Sequence, residues 1–407
     1  MAYKLNYFFG PRVSAQHQQN LQGLTEGVHK LSTMQPFSES VGGGYEGLIV
    51  DFKSGLRLQI PAGNWHVKIS DYKSKVIFVD KDTSEEVLIS AEKYFIQWEI
   101  ILHRDGKQVF YHRLDPKGKK VHFQFFPTGM GDHISLFPYI ETFRRIYDCQ
   151  ASVTVAPYLQ ELIKLYYPKV ECRDNPPEDS YAIYYLSPTF HPFLTSEEIR
   201  TVPMTQFGRE LLDIGQADKV VYRPNKPRQI MEPYVCIAVQ SSGTIKTWLN
   251  PTGWDQVVAY LKKIGYRVLC IDQKAEQTGY GMTVCKPKEA EDFTGDIPLS
   301  ERVNLLAYAD FFIGLSSGLS WLAWAVDIPV ILISGITAPW FEFPTPYRIY
   351  NRLVCHGCHN WDKIPWPSYE KCPVFGGTER AYECSKKISA QQVIDAIDSI
   401  RNKQFVE

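Results

Sequence analysis

The chain lacks an excess of either charge. Its 407 residues hold 44 Lys+Arg against 45 Asp+Glu, a formal balance of −1. That removes the basic surplus on which nucleic-acid binders rely. Long apolar runs are missing as well. Segments such as Ile328 to Ile333 fall far short of the roughly 18 residues a membrane helix needs. The first residues, MAYKLNYFFGPRV, have neither an apolar core nor a small-residue cleavage pattern, so no secretory signal is expected. Internal repeats and low-complexity tracts are absent. These absences predict a soluble, cytoplasmic protein with no membrane insertion and no nucleic-acid partner. The nine cysteines then do not read as a secreted disulfide framework, and in a reducing compartment clustered cysteines more often bind metal.

What is present is ordinary globular composition, 44% hydrophobic and 22% charged, too apolar for a disordered chain. The length suggests two to three domains. Residues 1–43 read as a polar, Gln-rich N-terminal arm ending in a Gly42-Gly43-Gly44 hinge. Residues 44–120 carry short alternating runs (GLIVDF, LRLQI, WHVKI, KVIFV, EVLIS, YFIQWEIIL, QVFYHRL) divided by turn pairs, which predicts an antiparallel β-domain, a small barrel or a sandwich. From 121 the rhythm becomes βα alternation, which predicts parallel sheets covered by helices. A Pro-rich linker near Arg223-Pro224-Asn225-Lys226-Pro227-Arg228 divides it into halves at 121–228 and 229–350. The expected class is α/β, with two doubly wound lobes and a cleft between them. An insert at 351–388 and a helix at 389–407 complete the chain. Ser389 with Gln392 three residues later forms a capping box for that helix.

Four segments could carry chemistry. Phe126-Pro127-Thr128-Gly129-Met130-Gly131-Asp132 lies where a strand meets a helix, and its glycines allow a tight turn beside a substrate. Asp132 could accept a proton from an attacking hydroxyl, or simply cap the helix. Gln240 to Trp248, after strand YVCIAVQ, places hydroxyls, a glycine and Lys246 at a strand end, where a phosphate could bind; it is not a P-loop. Gly314-Leu315-Ser316-Ser317-Gly318 satisfies Gly-x-Ser-x-Gly, the nucleophile elbow of α/β-hydrolases. The later histidines, His356 and His359, sit inside a cysteine cluster, a poor place for a triad. Anion binding at this helix start is the stronger reading. Last, Cys355, Cys358, Cys372 and Cys384 follow C-x2-C-x13-C-x11-C, with polar, Pro- and Trp-rich chain between them. The spacing predicts a closed structural four-cysteine metal knot, with zinc and a single iron equally suited. The polar loop CKPKE, placed after a second predicted helical region, adds Lys286 as a further phosphate candidate. Asp272 and Gln273 end a strand where a ribose could be met.

The second half resembles the heptosyltransferases. ADFFIGLSSGLSWLAWAVDIPVILISG is similar to that family's strand, helix start and closing strand. The loop with Thr244, Lys246 and Trp248 resembles its Lys-x-Trp element. GMGDHI, with Asp132, resembles its base-bearing Gly-Asp element. Ser316 and Trp321 stand where the wider lipopolysaccharide enzymes carry Asp and His. Gly63-Asn64-Trp65-His66-Val67, Phe126-Pro127-Thr128-Gly129 and the four-cysteine insert resemble one branch more closely, the bacterial autotransporter heptosyltransferases of the TibC and AAH type. That resemblance covers nearly the whole chain beyond the arm.

The resemblance implies a GT-B transferase using an ADP-heptose donor, the D-glycero-D-manno form, and Ser or Thr hydroxyls of an autotransporter passenger as acceptors. It also implies iron in the cysteine site and a large homo-oligomer, a dodecamer. The expected mechanism is a single inverting displacement with Asp132 as base. The leaving pyrophosphate would be met by Lys246, Thr244 and the N–H groups at Ser317 and Gly318, with Lys286 a further candidate and Ser316 a substrate-binding residue of the same turn, and no catalytic divalent metal is required. Two other classes remain open: a module binding a nucleotide or passenger without turnover, and a hydrolase with Ser316 as nucleophile.

Overall fold

The alternating runs between 44 and 120 become strands, distributed over two sheets. The structure, a computed structural model, describes residues 3–11, 21–126, 129–186, 199–279, 281–361, 363–364 and 371–404. The chain forms two units. The first comprises Met1–Thr128, Leu136–Ile199 and Gln206–Asp218, the second Gly129–Ser135, Arg200–Thr205 and Lys219–Glu407.

In the first unit, one antiparallel sheet runs in the order Ile77–Thr83, Trp65–Asp71, Trp98–Arg104, Lys107–Arg113. Its period-two pattern divides the faces as a one-sided sheet requires. Trp65, Val67 and Ile69 are buried, while His66 and Lys68 between them are half-exposed. The other sheet runs Lys4–Phe8, Glu86–Ser90, Arg57–Ile60, Ile49–Asp51, Val41–Gly42. Here the structure departs from the sequence reading. Lys4–Phe8 is a strand, parallel to Glu86–Ser90, so part of the N-terminal arm belongs to a sheet. The expected glycine hinge opens a β-hairpin, with Val41 and Gly42 paired to Val50 and Ile49. The helix Leu21–Ser32 is fastened by buried charge. Arg57 pairs with Asp51 and donates to the carbonyls of Ser32, Gln35 and Pro36 at 2.8, 2.9 and 3.0 Å. Lys93 Nζ donates to Ser32 Oγ and to the carbonyls of Ser54 and Ser90. Burial lowers the Lys93 ammonium to about 7.

A parallel sheet completes the first unit, in the order Glu171–Cys172, Gln150–Thr154, Lys120–Phe125, Ala182–Leu186. The helices Met130–Tyr147 and Gln160–Tyr166 lie between its strands in sequence.

The second unit holds a six-stranded parallel sheet: Glu291–Asp292, Arg267–Cys270, Tyr234–Ile237, Phe312–Leu315, Val330–Ile333, Arg348–Ile349. YVCI, FIGL and VILI are buried at every position, as strands covered on both faces must be. Helices Gly253–Lys263, Leu299–Leu306, Gly318–Val326 and Ala390–Gln404 accompany them. The capping box forms: Ser389 N–H donates to Gln392 Oε1 at 2.9 Å, and Gln392 N–H to Ser389 Oγ at 3.3 Å. The helices expected at WDQVVAYLKKIG and ERVNLLAYA form as Gly253–Lys263 and Leu299–Leu306. Between them Glu276–Gly279 and Met282–Cys285 pair as an antiparallel hairpin that the sequence reading did not name. No described helix is long and apolar enough to cross a membrane.

Candidate active site

Strand order decides where a ligand can sit. Tyr234–Ile237 has Arg267–Cys270 on one side and Phe312–Leu315 on the other, so the connections leave it in opposite directions. At such a switch point the loops beyond the carboxyl ends part and open a crevice. The loop Ser241–Thr247 and the turn at Ser316 and Ser317 leave the sheet here. Asp272, a ribose candidate from sequence, serves the first of them: its carboxylate accepts from Val239 N–H at 2.8 Å and Gln240 N–H at 3.1 Å. It shapes the loop, and burial raises its carboxyl above the usual range.

Thr244, Ile245 and Lys246 form a 3₁₀ turn, with Thr244 buried and Lys246 half-buried. Burial lowers the Lys246 ammonium, opposed by the charges of Asp132 and Glu342. Trp248 belongs to the core, its indole N–H on the Ile388 carbonyl at 3.0 Å.

Ser317 caps the helix Gly318–Val326. Its Oγ is buried and has no hydrogen-bond partner. The backbone N–H groups of a first helical turn also have no intrahelical acceptor. An orphan hydroxyl beside those donors suits an anion. The Ser317 N–H, expected to face phosphate, is instead taken by Leu315 O at 2.7 Å. Ser316 is buried, with its Oγ 2.7 Å from Ser334 Oγ, 3.0 Å from Glu342 Oε2 and 3.3 Å from Thr337 Oγ1. Among the described residues no imidazole is a partner of Ser316 Oγ, so nothing there supports the hydrolase elbow.

Asp132 lies in the first turn of the helix Met130–Tyr147, and this turn belongs to the second unit. The capping reading is seen directly. One oxygen, Oδ2, accepts from Gly129 N–H at 2.9 Å, as an acidic residue at the third helical position does. The same side chain is an electrostatic neighbour of Lys246, and burial raises its carboxyl to about 6. Two glycines allow the approach. A Cβ on Gly131 would stand 2.5 Å from Trp321 Cδ1, and one on Gly318 would stand 2.6 Å from Met130 Cβ. Pro127 and Thr128 lie outside the described residues. Lys286 is held elsewhere: its ammonium donates to Ala290 O at 2.7 Å, and it acts electrostatically on Cys270 and Asp292.

Cys355, Cys358, Cys372 and Cys384 line one cavity, together with Ile245, Ile336, His356, Pro373, Val374 and Tyr382. All four are free thiols. Burial and the neighbouring thiols push Cys358 and Cys384 up to about 12. The closed four-cysteine knot expected from the spacing is not shown: among the described residues, no group of three or more His, Cys, Asp or Glu has the geometry of a metal site. The donor set itself, four converging thiols, fits zinc or iron. Sequence reasoning missed two links from this segment to the loop Ser241–Thr247. Ile245 forms part of the cavity wall, and Ser385, next to Cys384, donates to Thr247 O and accepts from Leu249 N–H.

Residues 44–106 match the family described as glycosyltransferase TibC, N-terminal domain, and residues 210–363 match glycosyltransferase family 9 (heptosyltransferase). The autotransporter heptosyltransferase TibC of Escherichia coli is 38% identical over 88% of this chain and 90% of its own length. The chain belongs to the autotransporter heptosyltransferases. At that identity this heptosyltransferase is a relative of TibC rather than TibC. The autotransporter heptosyltransferase Aah of E. coli is 39% identical over 88% of this chain and 94% of its own. The inactive autotransporter heptosyltransferase BimC of Burkholderia thailandensis is 31% identical over 92% and 91%. The crystal structure of TibC from enterotoxigenic E. coli, described as an iron-containing dodecameric glycosyltransferase, matches with a TM-score of 0.86. It is 36% identical and covers 91% of this chain and all of that one. TibC in complex with ADP-D-β-D-heptose matches at 0.85, 37% identical over 91% and 99%. The α/β glycosyltransferase fold is thereby shown for this heptosyltransferase.

Proposed function

We propose that this chain transfers heptose from ADP-heptose, in the D-glycero-D-manno form, to Ser or Thr hydroxyls of an autotransporter passenger in the cytoplasm. The observation that carries the reading is the electrostatic coupling of buried Asp132 to Lys246, whose loop leaves the switch point of the six-stranded sheet. Asp132 takes the proton of the acceptor hydroxyl as its oxygen attacks the anomeric carbon from the face opposite ADP. The carbon–oxygen bond to the diphosphate breaks as the new one forms, which inverts the centre. Charge then grows on the leaving diphosphate. Lys246, Thr244, the Ser317 hydroxyl and the N–H groups of the Gly318 turn supply opposite partial or full charge where it develops. Ser316 shapes this turn from beneath. Lys286 lies outside the proposed set. TibC solved with ADP-D-β-D-heptose supports the donor assignment.

The four thiols would hold one metal ion, iron by the TibC likeness, as a cross-link that orders the 351–388 segment. The same likeness supports a homo-oligomer, a dodecamer. The proposed division is an N-terminal arm, a β-domain, two GT-B lobes, the insert and the final helix.

The test is Asp132→Asn, assayed for heptose transfer with the full chain. Loss of a general base lowers turnover by about 10²-fold or more. Near-normal turnover would remove Asp132 from the mechanism.

A further inference from the structure

One buried acid near the donor site has no part in the chemistry above. Glu342 lies between Phe341 and Phe343 and is 5% exposed. Three donors converge on a single oxygen, Oε2: Arg348 Nη1 at 3.0 Å, Thr337 Oγ1 at 2.8 Å and Ser316 Oγ at 3.0 Å. Arg348 closes the ring by donating Nη2 to Thr337 Oγ1 at 2.6 Å. Ser334 Oγ joins it, 2.7 Å from Ser316 Oγ and 2.8 Å from Thr337 Oγ1. Stability alone is a weak reason for such a cluster, because apolar residues of similar volume often serve a buried position as well as an ion pair does.

Its place in the fold gives another reason. Ser316 follows the strand Phe312–Leu315, Ser334 and Thr337 follow Val330–Ile333, and these strands are parallel neighbours. Lys246 comes from the loop after Tyr234–Ile237, which pairs with Phe312–Leu315. The ring thus ties adjacent strand ends together directly beneath the turn that opens the Gly318–Val326 helix. We propose that Glu342 is a positioning residue of the donor site: through Ser316 it fixes that turn, and its carboxylate is an electrostatic neighbour of Lys246. The inference rests on the donor reading above and adds to it the residue that prepares the phosphate-binding groups.

The charges around Lys246 govern how tightly it keeps its proton. Asp132 and Glu342 favour its protonated form, and burial opposes it. Ser242 Oγ lies 3.5 Å from its Nζ. Arg348 is paired with Glu342, and His359 is held neutral, lowered to about 4 by burial and by Lys246 itself. Removing the charge of Glu342 leaves Asp132 as the one carboxylate of this set acting on Lys246. Lys246 then gives up its proton at lower pH, and diphosphate affinity falls earlier on the alkaline side.

The experiment is calorimetric titration of the full chain with ADP from neutral pH to about pH 10, spanning the lysine range. Lys246→Ala should weaken ADP at neutral pH. Glu342→Gln should move the alkaline fall to lower pH, so that ADP binds about tenfold more weakly there for each unit of displacement. Glu342→Asp, which keeps the charge, should leave the fall where the wild type has it. A fall left in place by Glu342→Gln, with Lys246→Ala still weakened, overturns this proposal and spares the donor reading. Unchanged affinity in Lys246→Ala overturns both. Should Glu342→Gln not fold, Ser316→Ala decides: several-fold weaker binding at every pH supports the turn-fixing role, and unchanged affinity overturns it.

Discussion

Asp132 and Lys246 face opposite problems in one environment. Burial raises the acid to about 6 and lowers the lysine, and each moderates the shift of the other. A base acts only when ionised, so kcat/KM should rise with pH through about 6. A phosphate-binding ammonium acts only when protonated, so the profile should fall again below the ordinary lysine range. A profile that stays flat through both limits would contradict both assignments, and in Asp132→Asn the acid limb should vanish with the activity. Gly131→Ala tests the approach that brings Asp132 in, because the new methyl would meet the Trp321 ring. Overpacking of this kind costs about 1–3 kcal/mol. We expect a lower Tm and reduced turnover in Gly131→Ala, and wild-type values of both would show that the contact relaxes freely. At this scale the sequence was legible where the chemistry is local. Gly-Met-Gly-Asp and the Lys246 loop announce themselves by residue type and position. Glu342 does not, because it reaches Ser316 across 26 residues of chain and only folding reveals the pairing. Asp272 was legible as a strand-end carboxylate, but not its commitment to two backbone N–H groups.

Secondary-structure elements show the same division. The final helix was readable down to its capping box, a reciprocal contact within four residues. The strand Lys4–Phe8 was not, since its partner Glu86–Ser90 is some eighty positions away. The hairpin of Glu276–Gly279 and Met282–Cys285 is too short for its alternation to stand out from a helical pattern. The cysteine spacing placed four thiols round one cavity, as expected, yet spacing carries no information on ligand distance. This segment and the loop Ser241–Thr247 share Ile245 and are joined through Ser385, so their order should be coupled. We expect Cys358→Ser to lower Tm by several degrees, roughly 1–2 kcal/mol for a chain of this kind, and to weaken ADP binding at the same time. A drop in Tm with unaltered ADP affinity would separate the two elements.

For the molecule as a whole, the fold class was legible because buried parallel strands are written as unbroken apolar runs, of which YVCI, FIGL and VILI are examples. The division of the β-strands between two sheets depended on long-range pairing and was not. Family membership covers most of the chain, but an inactive relative shares that membership. Activity therefore turns on the site itself, on the proposed roles of Asp132 as base and Lys246 as diphosphate partner. The most direct measurement is the intact mass of an autotransporter passenger fragment incubated with this protein and, separately, ADP-heptose, UDP-glucose and GDP-mannose. The predicted result is a ladder of single heptose increments with ADP-heptose alone, absent with the Asp132→Asn variant. An unmodified passenger with every donor, from folded protein that still binds ADP, would contradict heptosyl transfer by this chain.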